Sequence, residues 1–405
     1  MRLHVVSLAL KSLWHRPLAT SLNLLLMALG IAIMTFILSA SAQLANSATR
    51  DAEGIDLVVG AKGSPLQLIL SAVYQVDAPT GNIPLATATQ LRQNRMVKSL
   101  IPLALGDSYR GFRIVGSNDD YITHYGGKLM QGNLPQRPMQ AVFGAQAAQR
   151  SGARIGSHFF GAHGLAEGGE EHQEAAFKVV GILQPTGTVL DRLIVTPVES
   201  VWQVHEKIDG LDADDKEERE AIEQNRELTA LLIQYTSPLA AVTMPRFINS
   251  QPQLQAAQPA FEAAKLFRLL GVSVDAMRGI ATIVLLSAAL SMLAALYHAL
   301  EERRSDLAIL RTLGASPRKL LLLLLCEGIL LAVAGALLGW LLGHLAVEVL
   351  GQLLLNEHNV VMSGLHMTND ELWLLPIAAG IGILAALLPA IRAYRTDIAA
   401  TLSHT

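Results

Sequence analysis

The sequence predicts a membrane α-helical protein of four transmembrane helices, with a large α+β extracytoplasmic domain inserted between the first and second spans. Three observations predict it. Four apolar runs, residues 18–42, 274–300, 320–350 and 372–391, are each long enough to cross a bilayer, which takes roughly 20 apolar residues. Between the first two lies a polar stretch, residues 43–270, long enough to fold as a domain of its own. Lys and Arg are unevenly shared: the connector 301–319 holds Arg303, Arg304, Arg311, Arg318 and Lys319, whereas the connector 351–371 has none. The positive-inside rule then puts the first connector in the cytoplasm and the second outside. Both termini fall in the cytoplasm.

Composition agrees. The chain is 51% hydrophobic and only 16% charged, where about 25% charged is usual for a soluble domain. A net charge of −3 gives no basic field for nucleic acid. The single cysteine, Cys326, excludes an intramolecular disulfide and a cysteine metal cluster.

Taken in order, residues 1–17 mix Arg2, Lys11 and Arg16 with Leu3, Val6, Leu10, Leu13 and Trp14. They predict an amphipathic helix on the cytoplasmic membrane surface, ended at Pro17. Residues 18–42 are the first span. Ala40-Ser41-Ala42 fits a signal-peptidase pattern, but the apolar segment exceeds the usual 7–15-residue signal core, so an uncleaved anchor is expected. Within 43–270, short apolar or alternating runs predict strands at 56–59, 99–105, 111–115, 177–182, 193–195 and 228–235. Helical patterns fit 87–94, 142–151, 197–208 and segments around 245–248 and 260–270. Gly161–Gly169 reads as an exposed loop, and 209–227 as a solvated charged helix or linker. After the span 274–300, the connector Leu300–Arg318 forms a short amphipathic helix with Gly314 as its stop and Ser316-Pro317 as a turn. Residues 320–350 and 372–391 are the last two spans, and 392–405 a cytoplasmic tail.

Several motifs carry chemistry weakly. Val58–Ser64 follows a strand and has Gly60, Lys62 and Gly63, but it lacks the spacing of a phosphate loop; a structural turn or a contact near the membrane accounts for it better. His158, His163, Glu170, Glu171 and His172 are the candidate metal set, since imidazole and carboxylate suit zinc. Their spacing matches no helix-borne metal signature, and a solvated polar loop accounts for the same residues. Gly335, Gly339 and Gly343 mark a small-residue face for close helix packing, within the chain or between copies. Glu327 is a carboxylate within a span, costly and a functional candidate by default; snorkelling or pairing with Arg318 or Lys319 accounts for it equally. His344 and Glu348, one turn apart at the other end, are expected to face exported water. No catalytic constellation stands out.

The connector RRSDLAILRTLGASPRKLLLLLLCEGILLAVAGALLG, with the order of one span, a large exported domain and three spans, resembles the FtsX-like ABC permeases. This is the group of the MacB macrolide exporter and the LolC/LolE lipoprotein-release proteins, whose pattern runs R-x-x-E-I-G-x-L-R-A-L-G-A-S. GFRIVGSNDDY, FKVVGILQPTGTVLDRLIVTP and ELTALLIQY resemble the MacB-like periplasmic core domain. Asp306 and Ala308 replace the family's Glu and Gly, and Thr312 its Ala; the helix tolerates these changes, Ala being a better helix former than Gly.

The resemblance implies a permease of a bacterial inner membrane, working by mechanotransmission with its large domain in the periplasm. It implies a separate ABC ATPase in two copies, which holds ATP and Mg, and a second permease copy in a homodimer. This chain would bind no cofactor and hold no ATPase site of its own. Arg303, Arg304, Leu307, Ile309, Leu310, Arg311, Gly314 and Ala315 would belong to the coupling helix that docks on the ATPase. Export or extraction of a substrate is the expected function. A non-transporting regulator that activates a periplasmic partner is an alternative, and a metal-handling transporter subunit a second. A periplasmic protein or lipoprotein and membrane lipid are the remaining expected partners.

Overall fold

The computed structural model describes residues 5–164, 171–205, 222, 225–303, 309, 311–312, 315–358 and 362–395, with backbone alone at 171–174, 355–358 and 395. The chain divides into two compact units, Met1–Leu44 with Leu269–Thr405, and Ala45–Arg268. Helix α1 is Val5–Trp14 and helix α2 is Pro17–Ala52. Pro17 opens α2 because a first-turn residue needs no amide donor and its φ is already helical.

The unit Ala45–Arg268 is a mixed α/β domain. After β1 (Leu57–Ala61) and α3 (Pro65–Ala72) come β2 (Ile83–Pro84), α4 (Leu85–Arg92), β3 (Val97–Tyr109), β4 (Phe112–Ser117) and α5 (Asp119–His124). Then follow β5 (Leu129–Gly132), β6 (Gln140–Phe143), α6 (Ala145–Ser151), β7 (His158–His163), β8 (Glu171–Leu183), β9 (Leu193–Pro197) and α7 (Val198–His205). The domain ends with β10 (Glu227–Leu228), β11 (Ala230–Tyr235), α8 (Ala240–Asn249) and β12 (Leu254–Ala257). Among the described residues, β12-β1-β11-β3-β4-β9-β6-β8-β5 run side by side in one sheet, with β7 bridging β3 and β8. β4 pairs β9 and β6 pairs β8 in parallel; the other pairs are antiparallel.

The centre of this sheet is covered on both faces. Val58, Leu103, Ala230 and Leu232 pack into one core with Leu68, Ile69 and Ala72 of α3. Their strand neighbours Leu57, Val59, Leu231 and Ile233 pack into another with Leu91 of α4 and Met244 and Ile248 of α8. Successive strand residues face opposite ways, so a strand buried on both faces reads as a continuous apolar run. A third core gathers Phe112, Phe143, Phe159, Phe177 and Ile194 with α6; the Phe159 and Phe177 rings stack at 5.2 Å.

The sequence expectation of one helix over 142–151 needs correction. Residues 140–143 complete β6, and the helix begins only at Ala145, after Gly144. A Cβ at Gly144 would stand 2.1 Å from the Leu190 carbonyl oxygen, so the turn admits only glycine. The loop expected from Gly161 is also corrected: Gly161–His163 finish β7, while 165–170 lie outside the described residues. Most of 209–227 lies outside them too.

α9 (Pro259–Glu302) leaves the domain at Arg268, and the other unit continues it and adds α10 (Pro317–His358) and α11 (Leu374–Arg395). Among the described residues, α2, α9, α10 and the segment of α11 are long and apolar enough to cross a membrane, by length and composition. Met27, Ile31, Ala288, Met292, Ala332, Ala336, Ala378 and Ala386 form their shared core. Leu25, Ile283, Leu286, Leu290, Leu341, Leu345 and Leu384 stand exposed on the outside, the pattern of helices that face lipid. Gly335, Gly339 and Gly343 lie against α2, where added Cβ atoms would meet Met27, the Ala28 carbonyl and Thr35 at 2.8, 2.4 and 2.6 Å. A second close approach, Gly328 of α10 on Gly382 of α11, carries no spaced repeat in the sequence; each Cβ would meet the other's carbonyl at 2.6 or 2.5 Å.

Candidate functional site

The connector between α9 and α10 is the first candidate. Arg304, Leu307, Leu310 and Gly314 lie outside the described residues; Arg303, Ile309, Arg311 and Ala315 lie within them. What the structure fixes is the base of the connector. The Arg303 guanidinium donates to the Ser12 hydroxyl and to the Ser12 carbonyl oxygen at 3.3 Å. It also stands 3.9 Å from the buried Glu327 carboxylate of α10. Among the described residues the ion pair to Glu327 thus comes from Arg303 rather than from Arg318 or Lys319. Arg16 pairs with Glu302, and Arg392 of α11 donates to Tyr297 of α9 while lying 4.8 Å over its ring. Leu300, Leu324, Ala390 and Ala393 pack beneath these pairs. α1, α9, α10 and α11 are therefore joined by ionic and apolar contacts where the connector begins. Ile309, by contrast, is half exposed.

At the other end of the same helices, His344 does not face water. It is buried, with Nδ1 2.7 Å from the Gly364 carbonyl oxygen and Nε2 2.7 Å from Glu371 Oε2. Glu371 also accepts from Trp340 Nε1 at 3.1 Å and from the Thr368 amide and hydroxyl at 3.1 and 2.8 Å. Glu348 accepts from the Gly364 amide at 2.8 Å. Gln43 of α2 bonds Ser363 in both directions, at 2.9 and 3.0 Å. The loop that carries residues 362–371 is thereby tied to α2 and α10.

In the domain, the stretch Val58–Ser64 is a strand leading to a capped helix. Ser64 accepts from the Gln67 amide at 3.4 Å. Lys62 is spent on the Asn249 carbonyl oxygen at 3.0 Å, and Gly63 abuts Thr80. These residues serve the fold.

Of the candidate metal set, the structure describes the side chains of His158 and His163 alone. His158 and His163 sit at opposite ends of β7. Five strand steps separate them by roughly 17 Å. Glu170 lies outside the described residues. Glu171 and His172 are placed in β8 by their backbone, Glu171 opposite Ala162. His163 meets two residues the sequence did not single out. Its Nδ1 is 3.2 Å from Asp107 Oδ1, and His205 Nε2 is 3.6 Å from the same oxygen. Asp107 is buried while both imidazoles reach solvent. Between Leu105 and Ser108 the register of β3 with β4 shifts, and on the other edge of β3 Asp107 pairs with His163 of β7. Such bulges re-aim a side chain. His205, the last residue of α7, has Nδ1 2.8 Å from the Val201 carbonyl oxygen. The Asp107 carboxylate raises the His205 imidazole above its ordinary 6.5, opposed by burial and helped by the Val201 carbonyl.

Comparison with known proteins places the chain. The model of the MacB-like periplasmic core domain matches residues 20–242, more than half of the chain. The model of the FtsX-like permease C-terminal region matches residues 278–398. The chain is similar to the lipoprotein-releasing system transmembrane protein LolC of Neisseria meningitidis serogroup B, 27% identical over 141 residues, 31% of this chain and 34% of that protein. The match thus spans about a third of that relative's length. Among solved structures, the periplasmic region of MacB from Actinobacillus actinomycetemcomitans is 13% identical, with a TM-score of 0.35, covering 54% of this chain and 95% of that one. The extracellular domain of the ABC-type transporter YknZ from Gram-positive bacteria is 13% identical, with a TM-score of 0.30, covering 50% and 99%. With one family model across the first half of the sequence and another across most of the rest, the chain belongs to the ABC-transporter permeases of the FtsX, MacB and LolC type, with a MacB-like periplasmic core domain.

Proposed function

We propose that the chain is the permease subunit of an ABC complex in the bacterial inner membrane. A separate cytoplasmic ATPase, in two copies, binds ATP and Mg and acts on a homodimer of this chain. The domain Ala45–Arg268 stands in the periplasm, inserted between α2 and α9, and moves in response. The work done is export or extraction of a substrate from the outer side of the membrane. The observation that carries this reading is the FtsX-like match across residues 278–398, which runs through the charged connector 301–319. The contacts of Arg303 with Ser12 and Glu327 support it, since force on the connector would reach α1 and α10 together.

The test is stimulation of the co-purified ATPase. Arg311→Glu combined with Leu307→Asp is expected to abolish stimulation by the permease while the melting temperature of the chain is unchanged. Unaltered stimulation would overturn the coupling assignment. The stimulus then separates a transporter, which responds to a lipophilic or peptidic substrate, from a regulator, which responds to a periplasmic protein.

A further inference from the structure

We propose that Asp107, His163 and His205 form a binding site for a transition-metal dication, with zinc the ion their chemistry fits. The proposal is independent of the ATPase reading and uses only the domain. Three elements deliver the ligands: the bulge of β3, the end of β7 and the last turn of α7. Their candidate ligand atoms all lie within 4.8 Å of one another. On a tetrahedral zinc with bonds of about 2.0–2.1 Å, ligand atoms stand roughly 3.3–3.4 Å apart. The observed 3.2 and 3.6 Å from Asp107 Oδ1 to the two imidazole nitrogens bracket that separation.

The second observation is orientation. His205 Nδ1 donates to the Val201 carbonyl oxygen within its own helix. That bond occupies Nδ1 and leaves Nε2, the atom turned to Asp107, as the nitrogen available to a metal. Metal-ligating histidines are held by just such a bond on the far nitrogen. Asp107 supplies the charge from a side chain only 4% exposed, at the floor, while His163 and His205 keep 51% and 38% of their side-chain surface in solvent. The ion can therefore reach the two imidazoles from water. Two imidazoles and one carboxylate favour zinc and its neighbours over magnesium or calcium, which prefer oxygen donors.

The experiment titrates Co²⁺ into the full-length chain in detergent, after chelator treatment and without any ATPase, and follows the visible absorption of tetrahedral cobalt; Zn²⁺ then competes it away. One equivalent is expected to bind with intense d–d bands. His163→Ala with His205→Ala should weaken binding more than about 100-fold, beyond the 10–100-fold typical of an outer-shell partner. Asp107→Asn, which keeps the shape of the buried side chain, should do the same. His158→Ala with His172→Ala should leave binding unchanged. Absent saturable binding, or binding that survives the His163/His205 double substitution, overturns the proposal. A loss confined to the His158/His172 variant also overturns it, by moving the site to the other histidines.

Discussion

The residues with most at stake are buried polar groups whose partners are few. Glu371 is 4% exposed and His344 7%, and their 2.7 Å contact is the centre of the network that holds Trp340, Gly364 and Thr368. Removing one partner of a buried hydrogen bond costs about 1–3 kcal/mol, because the other polar group is left unsatisfied. His344→Ala should therefore lower the melting temperature in detergent sharply, and His344→Gln, which keeps a donor, should lower it less. Equal melting of both variants and the parent would refute the pairing. In the domain, Arg113 is buried and donates to the Ser71 and Asp77 carbonyl oxygens at 3.2 and 2.7 Å and to Gln75 Oε1 at 3.3 Å. Burial pushes its guanidinium down to about 10, which leaves it charged at neutral pH. Burial holds the His124 imidazole below the ordinary 6.5, opposed by the nearby Glu53. Below 6.5 the unfolded chain takes up a proton that the folded chain refuses. The stabilisation is thus complete above 6.5 and is lost as pH falls through the lower folded value. Melting measured from pH 7.5 down to pH 5 should fall less steeply in His124→Gln than in the parent; parallel curves would show that this histidine is not responsible.

At the scale of elements, close packing of α10 decides which glycines matter. Gly339 lies against the α2 backbone, so Gly339→Leu must push the helices apart. Overpacking of this kind costs about 1–3 kcal/mol. Gly380 of α11 has nothing within 4 Å of its Cβ position. Gly380→Ala should therefore stabilise by up to about 1 kcal/mol through helix propensity alone. Opposite shifts in melting temperature are expected, and a loss of stability at both sites would show that α11 is packed where the structure leaves it open. The glycine repeat was legible because three small residues at four-residue spacing share a helix face. Gly328 and Gly382 were not, because each is single and their meeting depends on how α10 crosses α11. The apolar runs of β1 and β11 were legible as strands for a similar local reason. β6 was not: Ala141–Phe143 runs directly into an alanine-rich helix, and only the tight turn at Gly144 separates them. The cluster at Asp107 left no signal in the sequence, since a strand bulge and the pairing of β3 with β7 bring it to His163. α7 joins two features of the domain. Its last residue faces Asp107, while Val198, Glu199 and Trp202 line a cavity of about 660 Å³ shared with Arg92, Asp120 and Arg137. A metal held by His205 would steady the helix that forms one wall of that cavity.

For the whole molecule, orientation across the membrane decides which surfaces meet which partners. The charge rule that orients it depends on particular residues: five Lys and Arg in 301–319, Arg392 and Arg395 after the last span, and none in 351–371. Cys326 is the single cysteine, so Cys326→Ala gives a chain on which one new thiol reports one position. Arg154 in the domain, Ser316 before α10 and Leu365 in the loop before α11 are all exposed. Each can be replaced by cysteine without disturbing a core. A membrane-impermeant maleimide added to intact spheroplasts should label Arg154→Cys and Leu365→Cys. It should reach Ser316→Cys only after the membrane is permeabilised. That pattern requires the domain and the 362–371 loop to share one side and the connector to lie on the other, which an inserted domain and an even number of intervening crossings produce together. Labelling of Ser316→Cys in intact cells would put the connector out of reach of any cytoplasmic ATPase. Protection of Arg154→Cys would instead remove the domain from the periplasm while leaving the connector where the charges place it.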